Sequence, residues 1–194
     1  EGDDDYAAAL ADGAFVKANI IGMSLGGTAL LGDVRDGVRL EAGDDDGRGA
    51  MGVVIGGSGE GNRISARTGI FVAGARASET AVSSNVIGLL ANGLLARADE
   101  EARGGIVTLL ADRMTLDGNV VAGYEVGIVL ASNENVLTNN RVGTNEGGSV
   151  ARPNATGILI PREATGPGVS APVGSLNVIG EEGAGNVISG NEGS

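Results

Sequence analysis

Two acidic clusters are the residues of this chain that could do chemistry, by binding a metal ion. Asp44, Asp45 and Asp46 follow one another in one Gly-rich stretch, and Asp99, Glu100 and Glu101 follow one another in a second stretch. Clustered carboxylates supply the oxygen ligands of which calcium takes about six to eight. A solvated acidic loop has the same composition. We therefore expect no cofactor, with calcium as the possible exception.

The composition excludes most other site chemistry. The chain contains no His and no Cys, which excludes Ser–His–Asp catalysis, cysteine nucleophiles, metal–thiolate sites and disulfides. Trp is absent and the only tyrosines are Tyr6 and Tyr124, so side chains on which sugar rings stack are scarce. These absences favour a protein that is not an enzyme.

Most of the chain consists of a repeat, and this repeat must position the acidic clusters. An Asn followed by Ile or Val and then by a small residue recurs, most clearly in the last copy, Asn186-Val187-Ile188-Ser189. Further copies begin at Asn19, Asn62, Asn85, Asn119, Asn140 and Asn177. A second signature, Gly followed by alternating apolar residues, begins at Gly37, Gly69, Gly127 and Gly157. Such self-similarity is the strongest indication of a repeat architecture.

The spacing of the Asn copies predicts the size of the repeat. From Asn19 to Asn186 the intervals are 43, 23, 34, 21 and 46 residues when Asn177 is left out. We interpret a short interval as one coil and a long interval as two coils. Val53-Val54-Ile55-Gly56 and Asn177-Val178-Ile179-Gly180 then mark the additional coils. The expected coil has about 21 residues, and the chain is expected to contain about eight to nine coils.

A coil of this size with short β-branched runs between Gly and Asn predicts an all-β fold, a parallel β-solenoid. The middle residue of each Asn copy faces solvent because Arg63 and Arg141 occupy it, so period two places the Asn on the inner face. An inward Asn must be hydrogen-bonded. We therefore expect a structural ladder of stacked side chains formed by Asn62, Asn85, Asn119, Asn140 and Asn186. The adjoining inward column is predicted to contain Ile64, Ile87, Val121, Val142, Ile179 and Ile188.

The repeat predicts one elongated domain over residues 14–194. Residues 1–13 place acidic residues before an Ala-rich run and Gly13 after it, which is typical of a short capped helix. A degenerate coil is the other interpretation, since terminal repeats are often atypical. The N-terminal segment is thus expected to be either a cap or a degenerate coil.

The charge of the chain restricts its partners. Its net charge is −12, and 13 basic residues stand against 25 acidic ones. The arginines are scattered between Arg35 and Arg162, whereas binding a polyanionic nucleic acid needs a clustered basic face. No apolar run approaches the roughly 20 residues of a membrane span. We expect neither nucleic acid as a partner nor a membrane span.

The repeat resembles the right-handed parallel β-helix family, the pectin-lyase-like superfold, and in particular its Asn-Val-Ile-Ser-Gly-Asn and Ile-Gly-Thr type bacterial surface repeats. The residues that carry the resemblance are Gly185 to Asn191, Asn140 to Thr144 and Gly157 to Ile160. The resemblance implies right-handed winding and a secreted, extracellular or cell-surface location. It leaves function open, because this scaffold carries enzymes, adhesins and inert stalks.

Three functions follow from the resemblance. A calcium-dependent polysaccharide lyase would need the acidic clusters and an Arg such as Arg97 or Arg103 on one face. An adhesin or glycan-binding module would use the insertions at residues 43–50 and 96–104. The interpretation we adopt is a structural protein, a segment of an extracellular filament or stalk.

The two ends of the sequence suggest the partner. The last residues open a coil whose continuation matches the stretch before Asn19, so a second copy placed head to tail would complete it. A nine-coil subunit would give a filament with an axial repeat of about 43 Å. A segment of a longer repeat array has the same features. The expected partner is therefore another copy of this chain or the continuation of the array.

Overall fold

The computed structural model describes residues 12–42, 49–96, 102–166 and 169–192. These residues form nineteen strands and one short 3₁₀ turn, Ala75–Ala77. The strands are β1 (Phe15–Val16), β2 (Ile20–Ile21), β3 (Asp36–Glu41), β4 (Val54–Gly56), β5 (Arg63–Ile64), β6 (Thr68–Ala73), β7 (Ala81–Ser83), β8 (Val86–Ile87), β9 (Gly104–Leu109), β10 (Thr115–Asp117), β11 (Val120–Val121), β12 (Val126–Ala131), β13 (Val136–Thr138), β14 (Arg141–Val142), β15 (Thr156–Leu159), β16 (Glu163–Gly166), β17 (Val169–Pro172), β18 (Val178–Ile179) and β19 (Val187–Ile188).

The prediction of an all-β parallel solenoid is confirmed. Sheet 1 has the order β1-β4-β7-β10-β13-β18, sheet 2 the order β2-β5-β8-β11-β14-β19, and sheet 3 the order β3-β6-β9-β12-β15. Every pair within these sheets is parallel, and among the described strands only the hairpin β16–β17 is antiparallel. The chain visits sheets 1, 2 and 3 in turn, so the rest of each coil supplies the connection that a parallel pair needs.

The interpretation of each long interval as two coils is wrong. Strand β2 pairs directly with β5 across the 43-residue interval, and β14 pairs directly with β19 across the 46-residue one. Each interval is therefore one coil, and the described strands stack in six levels rather than in eight to nine coils of about 21 residues. The supposed additional coils contain β4 and β18, which are sheet 1 strands of coils already counted.

Insertions after sheet 2 make three of these coils long. The insertions at residues 22–35, 88–103 and 143–155 each close a small antiparallel bridge, Met23 to Leu30, Leu89 to Leu95 and Thr144 to Ala151. The insertions extend from the first, third and fifth levels. Neighbouring insertions are therefore two levels, about 10 Å, apart, which is also the distance between packed sheets. Contacts join them. The Ala91 N–H donates to Gly27 O at 2.8 Å, and Arg152 Nε donates to Gly93 O at 2.6 Å.

The core is a narrow column of aliphatic side chains inside the three sheets. Ile64, Ile87, Val121 and Val142 stack in sheet 2 and are fully buried, as the predicted inward column requires. Ile188 continues this column but is 47% exposed, because it belongs to the last level. The placement of Ile179 in the same column is wrong, since Ile179 pairs with Leu137 in sheet 1. Ile21 occupies the first position of the column.

The glycine signature of sheet 3 has a steric cause, because the inward column of sheet 2 occupies the space that a Cβ would need. A Cβ added to Gly105 would lie 2.1 Å from Val121 Cγ1, and one added to Gly69 would lie 2.4 Å from Ile87 Cγ2. Sheet 3 therefore crosses the inward column of sheet 2 so closely that only Gly fits. The four predicted glycine-led segments begin within or at the start of β3, β6, β12 and β15.

Candidate functional site

A ladder of asparagines runs along the corner between sheets 1 and 2. The predicted residues Asn62, Asn85, Asn119, Asn140 and Asn186 occupy successive levels there. In each step the Nδ2 of one Asn donates to the Oδ1 of the Asn on the next level, over 2.9 to 3.0 Å. Asn19, which the prediction left out, begins the ladder by donating to Asn62 Oδ1 at 2.9 Å.

Every interior amide of the ladder is fully hydrogen-bonded. The Asn119 Oδ1 accepts from the main-chain N–H and the Nδ2 of Asn85. The Asn119 Nδ2 donates to Asn140 Oδ1 at 3.0 Å and to the main-chain oxygen of Val82 at 2.8 Å. Asn119 is completely buried, so this pairing removes the desolvation cost of its amide.

The ladder has a direction and two unlike ends. Each Asn donates its main-chain N–H and its Nδ2 to the next level, and it accepts from the previous level. On the last level no described residue accepts from the main-chain N–H of Asn186, and on the first level none donates to Asn19 Oδ1. One end of the solenoid therefore presents donors where the other presents an acceptor.

The main-chain bonds of sheet 2 run in the opposite sense to the side-chain bonds of the ladder. The N–H groups of Arg63 and Ser65 donate back to the oxygens of Asn19 and Ile21, and this pattern repeats on later levels. The alternation of a parallel strand therefore turns the N–H groups of Ile20 and Gly22 toward the open side of the first level. By the same alternation, the oxygens of Asn186 and Ile188 face the open side of the last level.

The last level leaves apolar side chains uncovered. Ile179 and Ile188 are 39% and 47% exposed, although their partners one level below, Leu137 and Val142, are completely buried. On the first level the inward residues Val16 and Ile21 are partly buried and pack against the core. We call the two end faces of the described solenoid, which no described strand covers, the leading face on the first level and the trailing face on the last level.

Two shorter ladders were not predicted. Asn135 donates to Asn177 Oδ1 at 2.8 Å in sheet 1, and Asn154 donates to Asn191 Oδ1 at 3.0 Å at the entry to sheet 3. The signal for the first was visible, since Asn135 and Asn177 both precede Val. Asn154 has no β-branched residue after it, so no motif marked it.

The predicted calcium ligands Asp44, Asp45, Asp46, Asp99, Glu100 and Glu101 lie outside the described residues, as do Arg97 and residues 1–11 of the predicted cap or coil. Within residues 12–42, 49–96, 102–166 and 169–192, no three His, Cys, Asp or Glu residues are grouped so that they could hold a metal ion. The calcium site and the lyase site that depends on it remain predictions.

Arg103, the other candidate lyase residue, lies in a cleft on the outer side of sheet 3. The cleft has a volume of about 380 Å³, and its other lining residues are Arg35, Asp36, Arg39, Arg67, Thr68 and Phe71. A hydrogen bond to the Glu41 carboxylate raises the pKa of Arg39, and the negative charge of Asp36 adds to this while partial burial opposes it. The guanidinium of Arg39 therefore stays charged. The four arginines are scattered along the sequence, and the stacking of coils brings them together.

In the part of the chain that the structure describes, no helix has the length and hydrophobicity needed to cross a bilayer. Comparison with known proteins finds no matching family model, no matching curated protein and no matching solved structure.

Proposed function

We propose that this chain is a structural β-solenoid, secreted or exposed at a cell surface, whose copies stack head to tail into a filament or stalk. The observation that carries this proposal is the polarity of the asparagine ladder. Among the described residues, the main-chain N–H of Asn186 on the trailing face has no acceptor and Asn19 Oδ1 on the leading face has no donor, so the two groups match. The Nδ2 of Asn186 donates to the main-chain oxygen of Leu137 at 2.8 Å and keeps its second hydrogen for a ladder step. A second copy in the register of the solenoid would receive these bonds as one more ladder step.

The open strands of the two faces support the same arrangement. Unpaired strand edges are templates for pairing with another chain. The carbonyl oxygens of Asn186 and Ile188 would accept from the N–H groups of Ile20 and Gly22 in the next copy. The contact is heterologous, and such a contact produces a fibre when its rotation does not close into a ring. The uncovered Ile179 and Ile188 would then be buried against the first level of the neighbour.

We further infer that the solenoid is a right-handed β-helix, as the resemblance implies. Parallel strands joined by a crossover within one sheet are right-handed in about 98% of cases. In a longer repeat array the trailing face would be covered by the next coil of the same chain, with the same bonds. In both arrangements the function is to build length.

The test compares two apolar residues of similar exposure. Ile188 on the trailing face is 47% exposed, and Val150 on a lateral insertion is 45% exposed. We expect the unmodified chain to associate as its concentration rises in sedimentation-velocity experiments, and to form fibres in electron micrographs. Ile188→Asp is expected to weaken association at least about tenfold, because the contact would bury an unpaired charge.

Val150→Asp is the matched control and should associate like the unmodified chain. Both variants should keep the circular dichroism spectrum of the parent, since Val150 lies on an exposed insertion and Ile188 lies at the half-exposed last level of the column. The proposal fails if the unmodified chain stays monomeric at millimolar concentration, or if both substitutions weaken association equally.

A further inference from the structure

Three arginines occupy the same position on three successive coils. Arg35, Arg67 and Arg103 immediately precede Asp36, Thr68 and Gly104, which pair in register across β3, β6 and β9. Their main chains are thus about 4.8 Å apart along the axis. All three side chains line the cleft of about 380 Å³ described above, and we call these residues the arginine column.

The charges of the cleft are only partly neutralised. Arg67 is paired with Asp33, its Nε donating to Oδ1 at 2.9 Å. Arg35 approaches Asp36 only to 3.8 Å, and its side chain is 85% exposed. Arg103 is exposed and forms no ion pair with the part of the chain that the structure describes. A chain of net charge −12 therefore concentrates four of its twelve arginines around one cleft.

Arg39 and Phe71 form the side of the cleft. The Arg39 guanidinium lies 4.4 Å from the centroid of the Phe71 ring. It is also held by Glu41, to which Nε donates at 2.9 Å, and by Asp36 at 3.3 Å. These contacts fix Arg39 in place, so the cleft has one immobilised cation beside the weakly paired Arg35 and the exposed Arg103. The ring adds an apolar wall for the group that carries the bound anion.

This arrangement calls for an anion with several oxygens. Like charges opposite each other on neighbouring strands destabilise a sheet, so a bound anion would relieve the repulsion between Arg67 and the arginines of the levels on either side, Arg35 and Arg103. The guanidinium fork matches the oxygens of carboxylate and phosphate groups. A carboxylate has only two oxygens and one charge, whereas a tetrahedral oxyanion can accept from two or three guanidinium groups on successive levels at once.

We propose that the arginine column binds a phosphate or sulfate group carried by a larger ligand. Phosphate and sulfate monoesters share a tetrahedral group with three terminal oxygens, which guanidinium groups on successive levels can contact together. This binding is separate from end-to-end stacking, because the cleft lies on the lateral side of sheet 3.

The binding test uses inorganic phosphate and inorganic sulfate as probes, with acetate as the carboxylate probe. All titrations are made at pH 8 and at one ionic strength set with sodium chloride, because salt screens exposed charges. We expect phosphate or sulfate to shift the backbone amide resonances of Thr68 and Phe71 and to bind at least about tenfold more tightly than acetate. The tighter of the two probes identifies the ester to be sought.

Variants distinguish anion binding in this cleft from anion binding elsewhere on the surface. The double variant Arg35→Gln/Arg103→Gln should weaken phosphate and sulfate binding about tenfold or more. Arg113→Gln is the control, because Arg113 is also an exposed arginine, is paired with Glu79 at 3.2 Å and does not line the cleft. It should leave the affinity unchanged. Asp36→Asn should tighten binding, because it removes the carboxylate that competes for Arg35 and Arg39.

Three results would overturn the proposal. They are saturation with acetate at the same concentration as with phosphate and sulfate, equal affinities in the double variant and in Arg113→Gln, and no resonance shift with any probe. Circular dichroism of each variant checks that it is folded. We expect it to be, because the side chains of Arg35, Arg103 and Arg113 are exposed and their loss should not unfold the solenoid.

Discussion

At the scale of single residues, the asparagine ladder fixes the register of neighbouring coils, because its buried amides need one another as hydrogen-bond partners. Four buried amides, those of Asn62, Asn85, Asn119 and Asn140, lie beside a fully apolar column. Each can be satisfied only when the neighbouring coils are aligned Asn to Asn. A slip of one residue in any coil would leave donors and acceptors unpaired in the interior, which costs more than the bonds contribute.

Removing one ladder amide tests this role. Asn119→Ala would leave the donors of Asn85 and the oxygens of Val82 and Asn140 without their partner. Since each unsatisfied buried group costs about 1–3 kcal/mol, we expect a loss of about 3 kcal/mol or more in the free energy of unfolding. Urea denaturation followed by circular dichroism measures it.

Asn92→Ala is the control for that measurement. Asn92 accepts one bond from the Leu94 N–H in an exposed turn, so its replacement should cost no more than about 1 kcal/mol. Equal losses in the two variants would show that the ladder contributes no more than an ordinary surface asparagine.

At the scale of strands, sheet 3 depends on glycines that let it pass the sheet 2 column. The Gly-led signature predicted four of its five strands, because the glycine and the alternating apolar residues after it are both local features. β9 was missed although Gly105-Ile106-Val107-Thr108 has the same pattern. Thr108 occupies an inward position of this strand and is hydrogen-bonded to Ser132 at 2.6 Å. This polar residue interrupts the alternation of apolar residues by which the other strands were recognised.

Adding one methyl group to this crossing should be destabilising. In Gly105→Ala the Cβ would lie 2.1 Å from Val121 Cγ1 and 2.6 Å from the Gly127 oxygen. Overpacking of this kind typically costs about 1–3 kcal/mol, and the melting temperature should fall accordingly. Gly26→Ala is the matched control, because its nearest contacts are at 3.8 Å and its φ is not positive. A melting temperature of Gly105→Ala equal to that of the control would contradict the assigned crossing.

Local sequence could not separate sheet 1 from sheet 2. Both sheets begin short strands after an Asn, as in Asn135-Val136 and Asn140-Arg141, and both Asn residues form ladders. A motif count therefore treated two strands of one coil as two coils wherever an insertion lengthened the coil. The number of coils is decided by strand pairing, which joins residues far apart in the sequence. The fold class and the corner ladder were predictable, whereas the coil number and the arginine column depended on this pairing.

At the scale of the whole molecule, the lateral insertions brace the solenoid along its length. Arg63 lies on the second level, yet its guanidinium donates to the main-chain oxygens of Leu89 and Leu90 from the third level and to Glu146 from the fifth, the last at 2.6 Å. A single side chain thus connects three coils. Such contacts add stiffness to a repeat whose coils otherwise touch only their neighbours, and stiffness suits a protein that builds length.

The axial repeat of an assembled fibre distinguishes the proposed stacking from other packings. Six levels at about 4.8 Å give a head-to-tail repeat of about 29 Å, in place of the 43 Å that nine coils would give. Head-to-head contacts would double the repeat to about 58 Å, and they would set the Asn186 donors of one copy against the same donors of the next. Donors facing donors leave both unpaired, so the ladder favours the shorter repeat. Layer lines in the power spectra of cryo-electron micrographs measure this distance, and a repeat near 58 Å would show that the ladder does not direct assembly.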